Sequence, residues 1–347
     1  MKTTVLPDSW KVHAAFVIAF GTIILFVFQP TILTDMLATS ESGIHTFKTM
    51  LISIFLEAMP FLLLGVIVSS FMHAFIPESW FRQWIPKNPV LGVMVACLLG
   101  IVFPLCECGM IPIVRRLVAK GMPLYVGIVF ILVGPIVNPI VFSATFAAFR
   151  SKPEMVYSRM GLAVAVGLVI GLAVYYFVKS TPLKQNRSSS LLAVHTHPHH
   201  HSHDHSTPRS RRNKFLEMFE HAGAEFFDMG KYLILGSLIT AAVQAFVPRS
   251  EIVGIGQGDI SSHLFMMGFA FILSLCSTSD AFVASTFAST FSMSSLLTFL
   301  VFGPMLDFKN TLMLLSVFKA KFVLYLAVGI AVTVLVGSWI LGSMVWG

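Results

Sequence analysis

Residues 104–112 read Pro104-Leu-Cys-Glu-Cys-Gly-Met-Ile-Pro112, and both flanks of this stretch are apolar. Two prolines and a glycine so close together work against an unbroken helix. A glutamate between two cysteines is also foreign to a lipid-facing span. Irregular backbone at membrane depth is tolerated only where it is buried in protein or lines a wet cavity. The stretch therefore predicts a broken or re-entrant helix inside an all-α polytopic membrane protein. A second interruption, Cys276-Ser-Thr-Ser-Asp280, falls within the apolar run Ile260–Ser292 and invites the same reading.

Working outward, these two stretches belong to a longer internal match. Phe55–Gly65 lines up with Phe226–Gly236, pairing Glu57 with Asp228. Ala74-Phe-Ile-Pro77 meets Ala245-Phe-Val-Pro248 at the same offset, and Leu105-Cys106 meets Leu275-Cys276 after one gap. Gly134-Pro-Ile-Val-Asn138 meets Gly303-Pro-Met-Leu-Asp307 after one more. Apolar helices share a small alphabet, but an acid, a cysteine, a Gly-Pro and an Asn/Asp in one order point to a duplicated unit. The expected organisation is an N-terminal transmembrane helix and loop over 1–47, repeat 1 over 48–179, a basic His-rich loop over 180–214 and repeat 2 over 215–347.

Composition agrees. Of the 347 residues, 56% are hydrophobic and 11% charged, with a mean hydropathy of +0.83. A water-exposed surface cannot be built from so few charges, which excludes an ordinary soluble enzyme and a disordered chain. Spans of about 20 apolar residues are expected at Val12–Leu33, Met50–Phe75, Pro123–Phe149, Met155–Val178, Phe226–Val247, Ser294–Phe318 and Phe322–Trp346. Pro89–Lys120 is expected to break at Pro104 and Pro112, and a second helix pair at Gly134-Pro135 and Gly303-Pro304. Val12–Leu33 lacks a small-residue cleavage site and reads as a span rather than a signal peptide.

Charge placement sets the expected orientation. The net charge is +7, and Lys179–Lys214 holds seven basic residues and the single acid Asp204, so +6 of it lies in one loop. Such a loop marks a cytoplasmic connection rather than a nucleic-acid arm. With a cytoplasmic N-terminus and re-entrant hairpins, Arg82, Lys87, Arg115, Arg116, Lys120, that loop, Lys319 and Lys321 fall inside. Lys48, Arg150, Lys152, Arg159 and Arg249 are left outside or near that face. The two repeats are then inverted. Were the hairpins to span instead, the repeats would be parallel and the basic loop external.

Ionisable groups at membrane depth mark a pathway by default, which selects Glu57, Glu107, Asp228, Asp280 and Asp307 as pathway residues, with Asn138 added as the match of Asp307. The competing readings are that Asp228 pairs with Lys231 and Asp307 with Lys309. Cys106 and Cys108, with Cys276 from the other repeat, could form a three-thiol site for a soft metal or metalloid. Cys97, isolated, reads as a small hydrophobe. His195, His197, His199, His200, His201, His203 and His205 are seven of the twelve histidines and compose a loop able to chelate Zn2+ or another transition metal, or a linker without a role.

The motifs Pro104–Leu117, Gly134–Pro139, Cys276–Val283 and Gly303–Asp307 together resemble the YraQ/YcgR-type predicted permeases, which are related to organoarsenical efflux permeases of the ArsP type. The resemblance covers both repeats. It implies a multi-pass permease of the bacterial plasma membrane, often accompanied by a small membrane partner encoded nearby. The family commonly carries Cys-Ser-Cys-Gly and Cys-Ser-Glu-Ala-Asp in these motifs. Here Glu107 stands in place of the serine and Thr278 in place of the glutamate, which would carry the acid across the same site to the other repeat.

The expected function is thus a secondary permease, not an enzyme, in contact with lipid and transition-metal ions, with no nucleic-acid partner and with a homodimer left open. Its cargo is expected to be a thiophilic transition metal, zinc first, or a trivalent metalloid. The alternatives are a permease for a small sulfur-containing anion, an intramembrane thiol- or metal-dependent enzyme, and a metal-sensing scaffold. No Walker motif is present, and no H-E-x-x-H pattern supports the enzyme.

Overall fold

A computed structural model of the chain describes residues 41–75, 88–102, 105–178, 182–183, 211–246 and 259–346. The expected span Val12–Leu33 and the His-rich segment lie outside the described residues. Within them the structure is all-helical, with twelve helices in two series of six. The first series is α1 (Glu41–Phe75), α2 (Pro89–Val102), α3 (Glu107–Ala119), α4 (Leu124–Val133), α5 (Pro139–Ala148) and α6 (Glu154–Phe177). The second is α7 (Arg211–Phe246), α8 (Asp259–Leu273), α9 (Ser279–Thr286), α10 (Met293–Met305), α11 (Phe308–Val317) and α12 (Ala320–Val345). Four stretches are long and apolar enough to cross a membrane: Ile44–Phe71, Glu154–Phe177, Met293–Val317 and Ala320–Val345.

Side-chain neighbours fix the directions of the short helices. On α2, Gly92 lies against Tyr125 and Gly100 against Gly134, so α2 runs parallel to α4. Gly127 lies against Val114 and Val118 of α3, and Gly134 against Met110, so α3 runs back the other way. Helices α2 and α3 therefore form a hairpin whose tip reaches the level of Gly134. The second series repeats this. Ala270 of α8 faces Gly303 of α10, and the rings of Phe269 and Phe299 are 5.9 Å apart. The chain then doubles back through α9, bringing Phe287 to 5.7 Å from Phe269 and Phe291 to 5.5 Å from Phe265. At this second tip Ser274 adopts a left-handed conformation (φ 46°), a backbone state that costs a non-glycine residue about 1–3 kcal/mol.

Two expected spans are each a pair of helices laid end to end. Gly171 and Gly167 of α6 meet Val129 and Val133 of α4, and further along the same helix Arg159 meets Thr145 of α5. Helices α4 and α5 thus follow α6 in series, interrupted at 134–138. The corresponding interruption between α10 and α11 falls at Leu306–Asp307. It lies beyond the expected Gly303-Pro304, because Pro304 is accommodated inside α10. Pro112 is likewise carried inside α3 and does not break it. A proline removes only its own N–H, so it leaves the Cys108 carbonyl without a helical donor but does not end the helix. At the other boundary, α7 starts at Arg211, 15 residues before the expected Phe226 and inside the basic loop. Its 36 residues span about 54 Å, more than a bilayer core, so its first turns need no apolar composition.

Between the series, α1 packs on α7, α6 on α12 and α4 on α10, while α3 packs on α11 and α9 on α5. Gly329 of α12 meets Ile170 and Gly337 meets Leu162, so the two long closing helices run antiparallel. Lipid-facing positions such as Leu98, Phe177 and Tyr325 remain exposed, and the buried core lies between the long helices and the hairpins.

Candidate functional site

Both hairpin tips and both interruptions reach one level between the two series. The N-termini of α3, α5, α9 and α11 all start there, each presenting backbone N–H groups without intrahelical partners. The sequence answers this with oxygen-bearing side chains. Asn138 caps α5, its Oδ1 accepting from the Val141 N–H at 2.9 Å. Asp307 occupies the same position on α11 and accepts from the Asn310 N–H. Asp280 sits in the first turn of α9, and Glu107 is the first residue of α3. Carboxylates belong at such ends, where the helix dipole offers about half a positive charge.

One cluster gathers on the α3–α11 contact. Cys106 caps α3 in extended conformation, and its carbonyl accepts from the Gly109 and Met110 N–H groups at 3.1 and 3.2 Å. Its thiol lies within hydrogen-bonding reach of Cys108, and all four cysteines are free. Cys108 and Glu107 are buried, while Cys106 and Cys276 are half-buried. Asp307, Lys309 and Cys108 stand within electrostatic reach of Glu107, yet Glu107 Oε1 is buried without a hydrogen-bond partner. Cys276, from the other tip, accepts from the Thr278 hydroxyl at 3.6 Å and lies in reach of both Glu107 and Glu57. Glu57 is exposed on α1, so Cys276 stands between an open acid and a buried one.

A second cluster lies beyond the interruption on the α5 side. Arg159 is fully buried and its Nη2 meets Asp280 Oδ2 at 2.7 Å. The same guanidinium donates to Thr145 Oγ1 at 2.8 Å and to the Ser277 carbonyl at 3.0 Å. The sequence reading set Arg159 among residues outside or near the outer face. The structure corrects this. Arg159 is five residues inside α6, and a guanidinium buried there requires a carboxylate, which the other hairpin supplies. Its position within the expected span Met155–Val178 was the available signal.

The remaining predicted residues separate from these clusters. Asp228 is paired with Lys231 at 3.1 Å on a partly exposed face of α7, whereas Asp307 makes no ion pair with Lys309 among the described residues. Cys106 and Cys108 come together. Among the described residues, however, no three His, Cys, Asp or Glu side chains converge closely enough to hold a metal ion.

Three arrangements do not follow from the sequence, although Lys309 and Arg116 are named from it. Lys309 is buried in the first cluster. Arg116 binds buried Glu225 of α7 at 2.9 Å, a carboxylate that Ser69 also reaches at 3.4 Å. His263 is buried against Thr298, with its Nδ1 2.7 Å from the hydroxyl. The Arg116–Glu225 and Arg159–Asp280 pairs each join one series to the other, and they lie on opposite sides of the level of the interruptions.

Comparison with known proteins shows the family. No solved structure matches the chain. It is 46% identical to the UPF0718 protein YcgR of Bacillus subtilis (strain 168) over 300 residues, 86% of this chain and 98% of that protein. It is 35% identical over 293 residues, 84% of this chain and 94% of the relative, to a putative two-component membrane permease complex subunit of Streptococcus mutans serotype c. The second of these is named as a permease subunit. The ArsP_1 family model, described as a predicted permease, matches residues 43–343. With its several apolar helices, the chain is a multi-pass bacterial membrane protein, and it belongs to this family of predicted permeases.

Proposed function

We propose that the chain is a secondary permease whose two series of helices are inverted copies, with a solute site at the level where the four chain interruptions meet. The observation that carries this reading is that convergence itself. Discontinuous helices whose ends meet between two halves are how membrane transporters expose backbone polar groups to cargo without exposing them to lipid. Three facts support inversion: the helix order recurs, α6 and α12 are antiparallel, and α3–α11 is exchanged for α9–α5 between halves. Parallel copies would put α9 on the same side of the interruptions as α3, away from α5.

Within this reading the solute meets Cys106, Glu107, Cys108 and Cys276, and Glu57 lines the approach. Asn138, Asp307 and Asp280 hold the helix ends that shape the site, and Asp228 stays at the periphery. The thiol pair favours a thiophilic cargo. A trivalent metalloid species fits better than a bare divalent metal such as zinc, because buried Lys309 would repel a dication. A small sulfur-containing anion is the second reading, favoured by that lysine and by the helix N-termini. The Streptococcus relative is named as a subunit of a two-component complex, which supports a second membrane component here. The His-rich segment 195–205 is assigned to transition-metal sensing on composition alone.

Uptake into proteoliposomes tests the permease reading, with zinc, arsenite and sulfite each offered with and without a pH gradient. Transport reduced at least tenfold by Cys106→Ala with Cys108→Ala supports the thiol site, and a wild-type rate in that variant refutes it. Deleting Ser190–Ser206 should blunt any response to added zinc.

A further inference from the structure

Lys309 is the second residue of α11 and is 7% exposed. Its backbone N–H faces the Ser274 hydroxyl of the second hairpin tip at 3.5 Å, and its stem packs on Gly236 of α7. Among the described residues its ammonium makes no hydrogen bond and no ion pair. A lysine held in the core of a membrane protein with no carboxylate in contact is costly. Around it, within electrostatic reach but short of contact, stand Cys108, Asp307, Glu107 and Cys106. Among these, Glu107 Oε1 is buried and unpartnered. A donor and an acceptor of opposite charge thus stand within electrostatic reach of each other without closing into an ion pair.

The chemistry at each end defines the occupant. Lys309 has three N–H donors and no acceptor, so it calls for an acceptor, best a charged one. The positive dipole ends of α3 and α11 favour negative charge at the same place. Glu107 offers only lone pairs as a carboxylate, so its partner must carry a proton. A bare metal cation would meet the ammonium, and a fully deprotonated anion would meet the carboxylate. A species that bears O⁻ on one side and O–H on the other satisfies both.

We propose that Lys309 and Glu107 form the two ends of a binding site for a small, singly protonated oxyanion. Lys309 holds the charged oxygen and Glu107 accepts from the hydroxyl. This rests on the reading of the interruption level as the solute site, and it makes Lys309 the specificity-determining residue for anions over cations.

The test uses the full-length protein in proteoliposomes, offered hydrogen sulfite, selenite, bicarbonate, phosphate and Zn2+. At least one oxyanion should be transported or should compete for transport. Lys309→Gln should lower its uptake at least tenfold, Lys309→Arg should retain part of it, and Glu107→Gln should weaken the selection for the protonated form. The sign of the charge moved by wild-type protein on a solid-supported membrane needs no variant and guards against a misfolded one. Oxyanion uptake that Lys309→Gln leaves unchanged overturns the oxyanion site while the permease reading stands. A wild type that transports none of the four oxyanions also overturns it. Loss of the thiol effect on every solute would instead sink the permease site itself.

Discussion

Replacing Asp280 by alanine should destabilise the protein far more than replacing its partner. In the native structure Arg159 is fully buried and the Asp280 side chain is 3% exposed, with 2.7 Å between charged atoms. In Asp280→Ala, Arg159 keeps Thr145 at 2.8 Å and the Ser277 carbonyl at 3.0 Å, but its charge is uncompensated. A guanidinium cannot shed its proton, so breaking a buried pair from this side should cost about 3–5 kcal/mol. In Arg159→Met the stranded carboxyl can take up a proton, and the cost falls to about 1–3 kcal/mol, that of a buried polar group without a partner. The double variant Arg159→Met, Asp280→Leu should lie within about 1 kcal/mol of wild type or be more stable, because a buried pair often contributes little net stability against a packed apolar pair. Equilibrium unfolding by SDS in mixed micelles at neutral pH gives all four corners of this cycle. Additive single losses, or an Asp280→Ala cost below about 1 kcal/mol, would show that the pair does not carry the α6–α9 contact.

Other outcomes follow from the packing. Glu225→Gln should cost about 1–2 kcal/mol, less than Asp280→Ala, because Arg116 is 20% exposed and water can solvate it; a loss as large as that of Asp280→Ala would contradict this. Gly65→Ala should destabilise by about 1–3 kcal/mol in the same SDS titration, since its methyl would overlap the Gly109 backbone where α1 meets the hairpin. A polar methanethiosulfonate reagent should modify half-buried Cys106 and Cys276 before buried Cys108, read by mass spectrometry of intact protein. Labelling of Cys108 first would mean that the hairpin tip opens differently.

Much of the fold was legible because lipid imposes simple rules. Runs of apolar residues had to be helices, and two Cys-bearing interruptions could exist only inside a bundle. The matched Asn138 and Asp307 were found from sequence order and turned out to be equivalent helix caps. Break positions were less legible. Pro112 and Pro304 sit inside helices, since a proline's cost depends on whether neighbours accept the carbonyl it orphans. Arg159 and Lys309 were read by sequence neighbourhood, one as a boundary charge and the other as a partner for Asp307. Arg159 finds its carboxylate 121 positions away, and Lys309 faces Cys106, Glu107 and Cys108 of the other series besides Asp307.

The sequence by itself determined that the chain is an all-helical, multi-pass membrane protein whose apolar runs are interrupted at two cysteine-bearing stretches. Hydropathy and spacing are local properties, and the bilayer leaves them few solutions. Only the tertiary structure decided which charge meets which: Arg159 with Asp280, Arg116 with Glu225, and Lys309 facing Glu107 without touching it. Electrostatic energy depends on distance and burial, and sequence separation fixes neither across two series of helices.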